Sequence, residues 1–322
     1  MFPFDISFFV DSLLIFILAF VIDVVFGEIP DHAHPTVWMG SIVAYVKPRM
    51  KNANPKVEKF NGVLLCIGLI ALFAVPTFAL LWILRSIPVV GWVLYIIVGA
   101  ILLKTTFALK CMRHYTFPIE KSLINNDIGK AREWLHFIVR RDPNKLDERH
   151  IVSAAVESIA ESTTDGVTSP FFYYAIFGVP GAFGFRVINT LDSMVGYKDS
   201  VNVNVGWFSA KMDTITNYIP SRLTAIFMVL SAGIMGTDWR NSWKILQRDK
   251  KKTASPNAGW TISAMAGALD TQLEKEGYYA LGDGEIIHPQ DITKAWKIMG
   301  TTVVLFGISV VLPILILEAI VF

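Results

Sequence analysis

Charged and polar side chains are scarce in this chain, and several fall at spacings that could do chemistry. In the stretch 157–166, Glu157, Glu161 and Asp165 recur at four-residue intervals. On an α-helix that spacing makes one acidic stripe. Like charges so placed repel and call for a compensating cation. Three carboxylates on one face suit Mg²⁺, which combines carboxylates with substrate phosphates. The plainer reading is a solvated helix face, but an apolar segment follows directly, and function is the better account. Gly166 offers a helix stop.

A second group is Arg186, Asn189 and Asp192, spaced three apart at the end of an apolar run, followed by Tyr197 and Lys198. Ionisable groups at membrane depth are expensive and mark sites by default. Arg supplies a planar fork for phosphate and Lys a point charge. Interfacial snorkelling would explain the Arg, but Asn189 and Asp192 are too short for it. A third group holds Asp213, Asn217, Pro220 and Arg222. Pro220 reads as a helix start, which puts Arg222 in the first turn, where the macrodipole disfavours a cation; an anionic partner would account for it as well as an interfacial anchor would. The turn-rich Ser255-Pro-Asn257-Ala-Gly259-Trp260 could turn backbone amides towards a phosphate, and Lys250, Lys251 and Lys252 before it could meet lipid headgroups. Near the first apolar run lie Asp23, His32 and His34. No cysteine or third histidine completes a zinc set, so metal binding by histidine is discounted.

The elements that must position these groups are apolar. The chain of 322 residues is 53% hydrophobic and only 17% charged, with a mean hydropathy of +0.48. Soluble domains carry about a quarter charged residues. A net charge of +2 argues against a nucleic-acid binder, which needs a basic face. Cys66 and Cys111 lie in or at the end of apolar stretches and read as packing residues rather than a disulfide framework. The first segment has no basic leader region or small-residue cleavage site, so it is expected to remain as an anchor.

A span needs about 20 apolar residues. Residues 8–26, 62–84, 89–112 and 298–321 qualify. The run 167–188 is interrupted by Pro170, Gly178, Pro180, Gly181 and Gly184, and 220–236 is marginally short. Lys47, Arg49, Lys51, Lys56 and Lys59 place the first connection in the cytoplasm by the positive-inside rule. A re-entrant or broken 167–188 lets all the polar motifs face that side, since irregular backbone at depth is tolerated where it lines protein or a wet cavity. The expected fold class is all-α: a polytopic helical membrane protein with about four to six membrane segments, one of them a candidate for re-entrance. It is read as a single integral membrane domain with helical cytoplasmic insertions at 113–166 and 238–297. Within the first, residues 128–140 place Ala131, Leu135 and Ile138 on one helical face. No internal repeat supports a transporter of inverted halves, and no G-x-x-x-x-G-K-[ST] loop is present.

In combination and order these motifs resemble the cobalamin-biosynthesis membrane family that includes adenosylcobinamide-phosphate synthase. The resemblance is carried by Asp23 with His34-Pro35 and Trp38-Met-Gly40, and by Glu157-Ser-Ile-Ala-Glu161 with Asp165-Gly166 and Ser169-Pro170-Phe171. It continues through Asn189-Thr-Leu-Asp192, Gly206-Trp207, Asp213, Ile219-Pro-Ser-Arg222, Ser255-Pro-Asn257-Ala-Gly259-Trp260 and the region up to Tyr279. The family often carries Glu-Asn where this chain has Glu161-Ser162, so the amide donor is absent here. The resemblance implies a carbon–nitrogen ligase that uses ATP and Mg²⁺ to join aminopropanol, or its phosphate, to a propionate of adenosylcobyric acid. Glu157, Glu161, Asp165 and Asp192 would be its catalytic and metal-holding carboxylates. Asp23, His34, Arg186, Asn189, Lys198, Arg222 and Asn257 would bind substrates. It also implies a cell-membrane location with the site facing the cytoplasm, and, as partners, lipid, the corrinoid, the amine, and a second copy or other corrin-pathway enzymes. The competing readings are a transporter and a non-catalytic scaffold.

Overall fold

The computed structural model describes residues 5–197, 199–284 and 287–321. In chain order its helices are α1 (Ile6–Phe26), α2 (Pro35–Val46), α3 (Pro55–Ser86), α4 (Gly91–Lys104), α5 (Leu109–Ile124), α6 (Ile128–Leu135) and α7 (Glu148–Ser162). They continue as α8 (Ser169–Val195), α9 (Trp207–Thr216), α10 (Tyr218–Ile234), α11 (Trp239–Asp249), α12 (Ala258–Ala268), α13 (Asp291–Phe306) and α14 (Leu312–Val321). One short antiparallel hairpin joins β1 (Leu273–Lys275) to β2 (Tyr279–Leu281), with Leu273 opposite Leu281.

Among the described residues five helical stretches are long and apolar enough to cross a membrane: Ile6–Phe26, Pro55–Ser86, Gly91–Ile124, Glu148–Val195 and Asp291–Val321. The 17-residue α10 falls short. Helices α1 and α3 are apolar all round and leave Ile17, Val25, Leu64, Phe78 and Trp82 exposed, the mark of a helix that meets lipid. The protein is thus an all-α polytopic membrane protein.

The chain divides into two compact units. Unit 1 comprises Met1–Ala108, Ser169–Thr216 and Val310–Phe322; unit 2 comprises Leu109–Thr168 and Asn217–Ser309. In unit 1, α1 packs on α4 and α14, and α3 packs on α8, α4 and α9. Gly99 lets α4 close on α1, since a Cβ there would lie 2.9 Å from Ile15 Cδ1. Small residues serve this purpose in membrane helix packing. Helix α8 is broken at Gly178, whose φ of 63° and ψ of −161° are accessible almost only to glycine. The chain then folds back. The rings of Tyr173 and Phe185 stack 5.4 Å apart, whereas residues twelve apart in a straight helix are separated by about 18 Å. The interruption read at Gly178–Gly181 is therefore a reversal within α8. Beyond its end, Gly206 allows the 196–206 loop to close on α8, because a Cβ there would lie 1.7 Å from Val195 O.

Unit 2 holds both stretches expected as separate insertions, together with α10 and α13. Helix α10 packs on α12 and α13, α7 on α13, α5 and α12, and α11 on α12. Two local expectations are corrected. The α6 helix ends at Leu135, burying Ala131 and Leu135 as read, but Ile138 lies in the following turn. Gly166 stops no helix: residues Thr163–Thr168 form a π-helical turn that leads into α8. Its ladder widens to i→i+5, so four-residue spacing no longer keeps Asp165 in line with Glu157 and Glu161.

Candidate functional site

In unit 1 the polar groups near the first span and those on α8 form a network around the C-terminus of α4. His34 is the N-cap of α2, and its Nδ1 accepts from Thr36 N at 3.2 Å. The proton of the neutral ring then belongs on Nε2, which donates to Glu28 Oε2 at 3.1 Å. His34 is a cap and a carboxylate orienter. The same Glu28 oxygen accepts from Lys104 Nζ at 2.6 Å. Lys104 is only 1% exposed and stands 3.2 Å from Asp23 Oδ1, itself fully buried. A buried ammonium needs such pairing. Burial alone would raise the Glu28 carboxyl, but His34 and Lys104 outweigh it and hold it below its ordinary range.

Two residues on from Lys104, the Thr106 carbonyl accepts from both Nε of Arg186, at 2.8 Å, and Nη2. This forked contact satisfies a carbonyl just beyond the end of α4. Arg186 Nη1 donates to Asn189 Oδ1 at 3.1 Å, and Asn189 Nδ2 reaches Asp213 Oδ1 at 3.4 Å. Asp23, His34, Arg186 and Asn189, read as binding residues, are thus brought together with Asp213. Asp192 lies one turn further along α8, its carboxylate against Gly196, where a Cβ would be 2.0 Å from Oδ1. Lys198 lies outside the described residues.

In unit 2, Glu157 is buried at 7% exposure. Its Oε1 accepts from Ser153 Oγ at 2.8 Å and Arg141 Nη2 at 3.3 Å, and its Oε2 from Tyr279 OH at 2.8 Å. Burial, and then the carboxylate, push the Tyr279 phenol above its ordinary range and keep it protonated as a donor. The β-hairpin is tied to α7 a second time by Arg149, which meets Gln272 Oε1 at 2.8 Å and Glu274 Oε2 at 3.3 Å. Glu161, one turn after Glu157, is exposed, and Asp165 on the π turn is partly so. The acidic stripe therefore separates into one inward anchor and two accessible carboxylates. Among the described residues no group of three or more His, Cys, Asp or Glu side chains is placed to hold a metal ion.

Also in unit 2, α10 begins at Tyr218 rather than at Pro220, so Arg222 lies past its first turn, where it donates to Asn257 Oδ1 at 2.6 Å, Tyr218 O at 2.8 Å and Pro256 O at 3.3 Å. Asn257 is buried and also accepts from Ser221 Oγ at 3.4 Å. The Arg222 group and the turn-rich Ser255–Trp260 stretch are therefore one structure.

Sequence reasoning passed over Lys104, Glu28, Arg141 and Tyr279. Lys104 carried a usable signal, a cation inside the third apolar run. Arg141 and Tyr279 carried none, since their roles arise only from tertiary packing on α7.

The CobD/Cbib protein family matches residues 16–299. The chain is 40% identical over 305 residues to the probable cobalamin biosynthesis protein CobD of Methanothermobacter thermautotrophicus, covering 93% of this chain and 98% of that one. It is 41% identical over 273 residues to the cobalamin biosynthesis protein CobD of Dehalococcoides mccartyi, covering 85% and 87%. With the probable cobalamin biosynthesis protein CobD of Thermoplasma volcanium it shares 39% identity over 309 residues, covering 96% and 99%. No solved structure matches the chain.

Proposed function

The chain belongs to the CobD/Cbib protein family, and we propose that it works in cobalamin biosynthesis as an ATP-dependent amide ligase of the cell membrane, its site on the cytoplasmic face. Its substrates are then adenosylcobyric acid, through one propionate carboxylate, and aminopropanol or its phosphate. The observation that carries this reading is the contrast along one helical stretch. Glu157 is enclosed by Arg141, Ser153 and Tyr279, whereas Glu161 is exposed and Asp165 follows on a π turn, a deformation frequent at functional sites.

A carboxylate is a poor acyl donor. In the proposed reaction a propionate oxygen takes the γ-phosphoryl group of ATP, breaking the β–γ bridge and releasing ADP. The amine nitrogen then attacks the acyl carbon, phosphate leaves, and the proton lost by the amine passes to a carboxylate. Glu161 and Asp165 are accessible enough to accept it, and such a base typically contributes 10²–10⁴-fold. Mg²⁺ bound with the nucleotide would offset charge on the transferring phosphoryl group. A protein-only cage does not fit this chain, since Glu157 is already engaged by three donors. A site of one or two carboxylates completed by phosphates and water does fit, and is the habit of Mg²⁺; Glu161 and Asp165 are its candidate ligands. The buried network of Asp23, Glu28, His34 and Lys104 is suited to fixed positioning, because its charges are already paired.

The test uses purified protein with adenosylcobyric acid, aminopropanol phosphate and Mg·ATP, following the amide by mass spectrometry and ADP alongside. Glu161→Gln should fold as the parent and lose at least about 100-fold in rate, with Asp192→Asn as the counterpart in unit 1. An unaltered rate in Glu161→Gln removes that residue from the chemistry. Folded parent protein that yields neither amide nor substrate-stimulated ADP rejects the ligase in favour of transport or scaffolding.

A further inference from the structure

We propose that a pocket of unit 2, lined by Tyr218, Arg222, Lys250, Lys251, Thr253 and Trp260, binds the polyphosphate chain of a nucleoside triphosphate. This rests on the ATP-dependent reading above and says where the nucleotide is held in a chain without a phosphate-binding glycine loop. The cavity measures about 410 Å³, within the usual range for small-molecule sites of about 300–1,000 Å³.

Its charge is one-sided. Three cations line it, and among the described residues no carboxylate does. Nearby cations are treated differently: Lys252 lies 2.7 Å from Asp249, and Arg248 lies 2.8 Å from Asp249 and 2.5 Å from Asp283. By contrast, among the described residues Arg222 meets only neutral acceptors, on Asn257, Tyr218, Ser221 and Pro256. Lys250 reaches the amide oxygen of Gln247 at 2.5 Å. Aromatic rings orient these groups without neutralising them. The Arg222 guanidinium lies 3.5 Å from the centroid of Tyr218 and 4.9 Å from that of Trp260, and Lys250 Nζ lies 4.6 Å from Trp260. Cations gathered without a counter-charge repel one another, and a polyanion relieves that repulsion.

The backbone is shaped to gather them. A Cβ at Gly259 would lie 2.4 Å from Lys250 O and 2.6 Å from Thr253 Oγ1. Only glycine lets the 250–253 turn close on the start of α12, which brings Lys250 beside Trp260 and Lys251 to the same cavity. Buried Asn257 then fixes Arg222 from below. The same chemistry would accept the phosphate of an anionic lipid headgroup, so the experiment separates the two sources.

ATP and inorganic tripolyphosphate are titrated by calorimetry into the full chain in nanodiscs of zwitterionic lipid, for the parent and for Lys250→Gln/Lys251→Gln. Retention on vesicles rich in phosphatidylglycerol is measured in parallel. Both lysines reach solvent, so the double variant should melt as the parent does. The expected result is a loss of at least about tenfold in affinity for both ligands, since charge-assisted hydrogen bonds are lost. ATP affinity within twofold of the parent overturns the pocket, as does an effect confined to phosphatidylglycerol retention. If amide synthesis persists while the variant binds ATP unchanged, only the pocket is rejected. Folded parent protein that binds no ATP rejects the ligase reading with it.

Discussion

Replacing Lys104 by Met tests whether the charged network of unit 1 is as tightly paired as its geometry implies. The ammonium lies 2.6 Å from Glu28 Oε2 and 3.2 Å from Asp23 Oδ1. At an effective dielectric of about 20 those contacts are worth about 6 and about 5 kcal/mol before desolvation. Removing 1%-exposed Lys104 leaves fully buried Asp23 without its cation, while Glu28, at 28% exposed, keeps His34 and some water. Most of the loss therefore falls on Asp23, and breaking a buried pair in this way costs about 3–5 kcal/mol. At about 2–4 °C per kcal/mol for domains of 150–250 residues, the melting temperature in detergent should fall by roughly 6–20 °C. Asp23→Asn in the same background removes the stranded charge and should recover much of the loss; Asp23→Asn alone should not stabilise. The pH dependence follows from Glu28, whose carboxyl is held below its ordinary value in the folded protein. That contribution is present above the unfolded value and is lost as pH falls through the folded one. Without Lys104 the depression shrinks, so the gap between variant and parent should hold from pH 7 down to about 4.5, the ordinary carboxyl value, and narrow below it. A Lys104→Met protein melting within about 2 °C of the parent at pH 7 would refute the reasoning.

Two further substitutions probe the backbone and the loop after α11. Gly178→Ala forces a side chain onto a φ of 63° and ψ of −161° and should cost about 1–3 kcal/mol; a melting curve superimposable on the parent's would mean that the α8 reversal is not held there. Asp249 is buried, which alone would raise its carboxyl, but bonds from Arg248, Lys252 and Gly282 N bring it down to about 2. Its contribution should be complete above about pH 4 and fade as pH falls towards 2, so Asp249→Asn should destabilise at pH 7 and lose that effect in acid, as read by circular dichroism melts. A destabilisation of equal size at pH 2 and pH 7 would show that the charge is not what matters.

The long apolar runs were legible because lipid imposes a length and a composition that no tertiary contact has to supply. The broken run 167–188 was legible for a related reason: glycine and proline interrupt a helix whatever surrounds them. Asp23, Arg186 and Asn189 were recognisable as polar groups in costly places, His34 entered only through the family resemblance, and the structure brings them together. The fate of the acidic stripe was not readable. Four-residue spacing treats Glu157, Glu161 and Asp165 alike, yet Glu157 is turned inward by Tyr279, 122 residues away. A π turn after Ser162 has no signature in side-chain type, and strands of three residues are too short for alternation to show.

The two units use their charges in opposite ways. In unit 1 the ionic groups near the α4 terminus are partnered inside the fold: Lys104 with two acids, His34 with Glu28, and Arg186 with a helix-end carbonyl. Such groups have lost their rotamer freedom during folding, so they can align a substrate without further ordering cost. Unit 2 buries Glu157 in the same manner but leaves Glu161 exposed and gathers Arg222, Lys250 and Lys251 around a cavity without acids among the described residues. Charges left in this state are poor investments for stability, since exposed ions contribute little and like ions repel. On the proposed reading their ligands are of opposite charge, a cation for Glu161 and a polyphosphate for the lysines and Arg222. On the proposed reading, a reaction that consumes a nucleotide has use for both kinds of group: fixed ones that hold geometry while bonds change, and exposed ones that could draw in Mg²⁺ and phosphate and then release them.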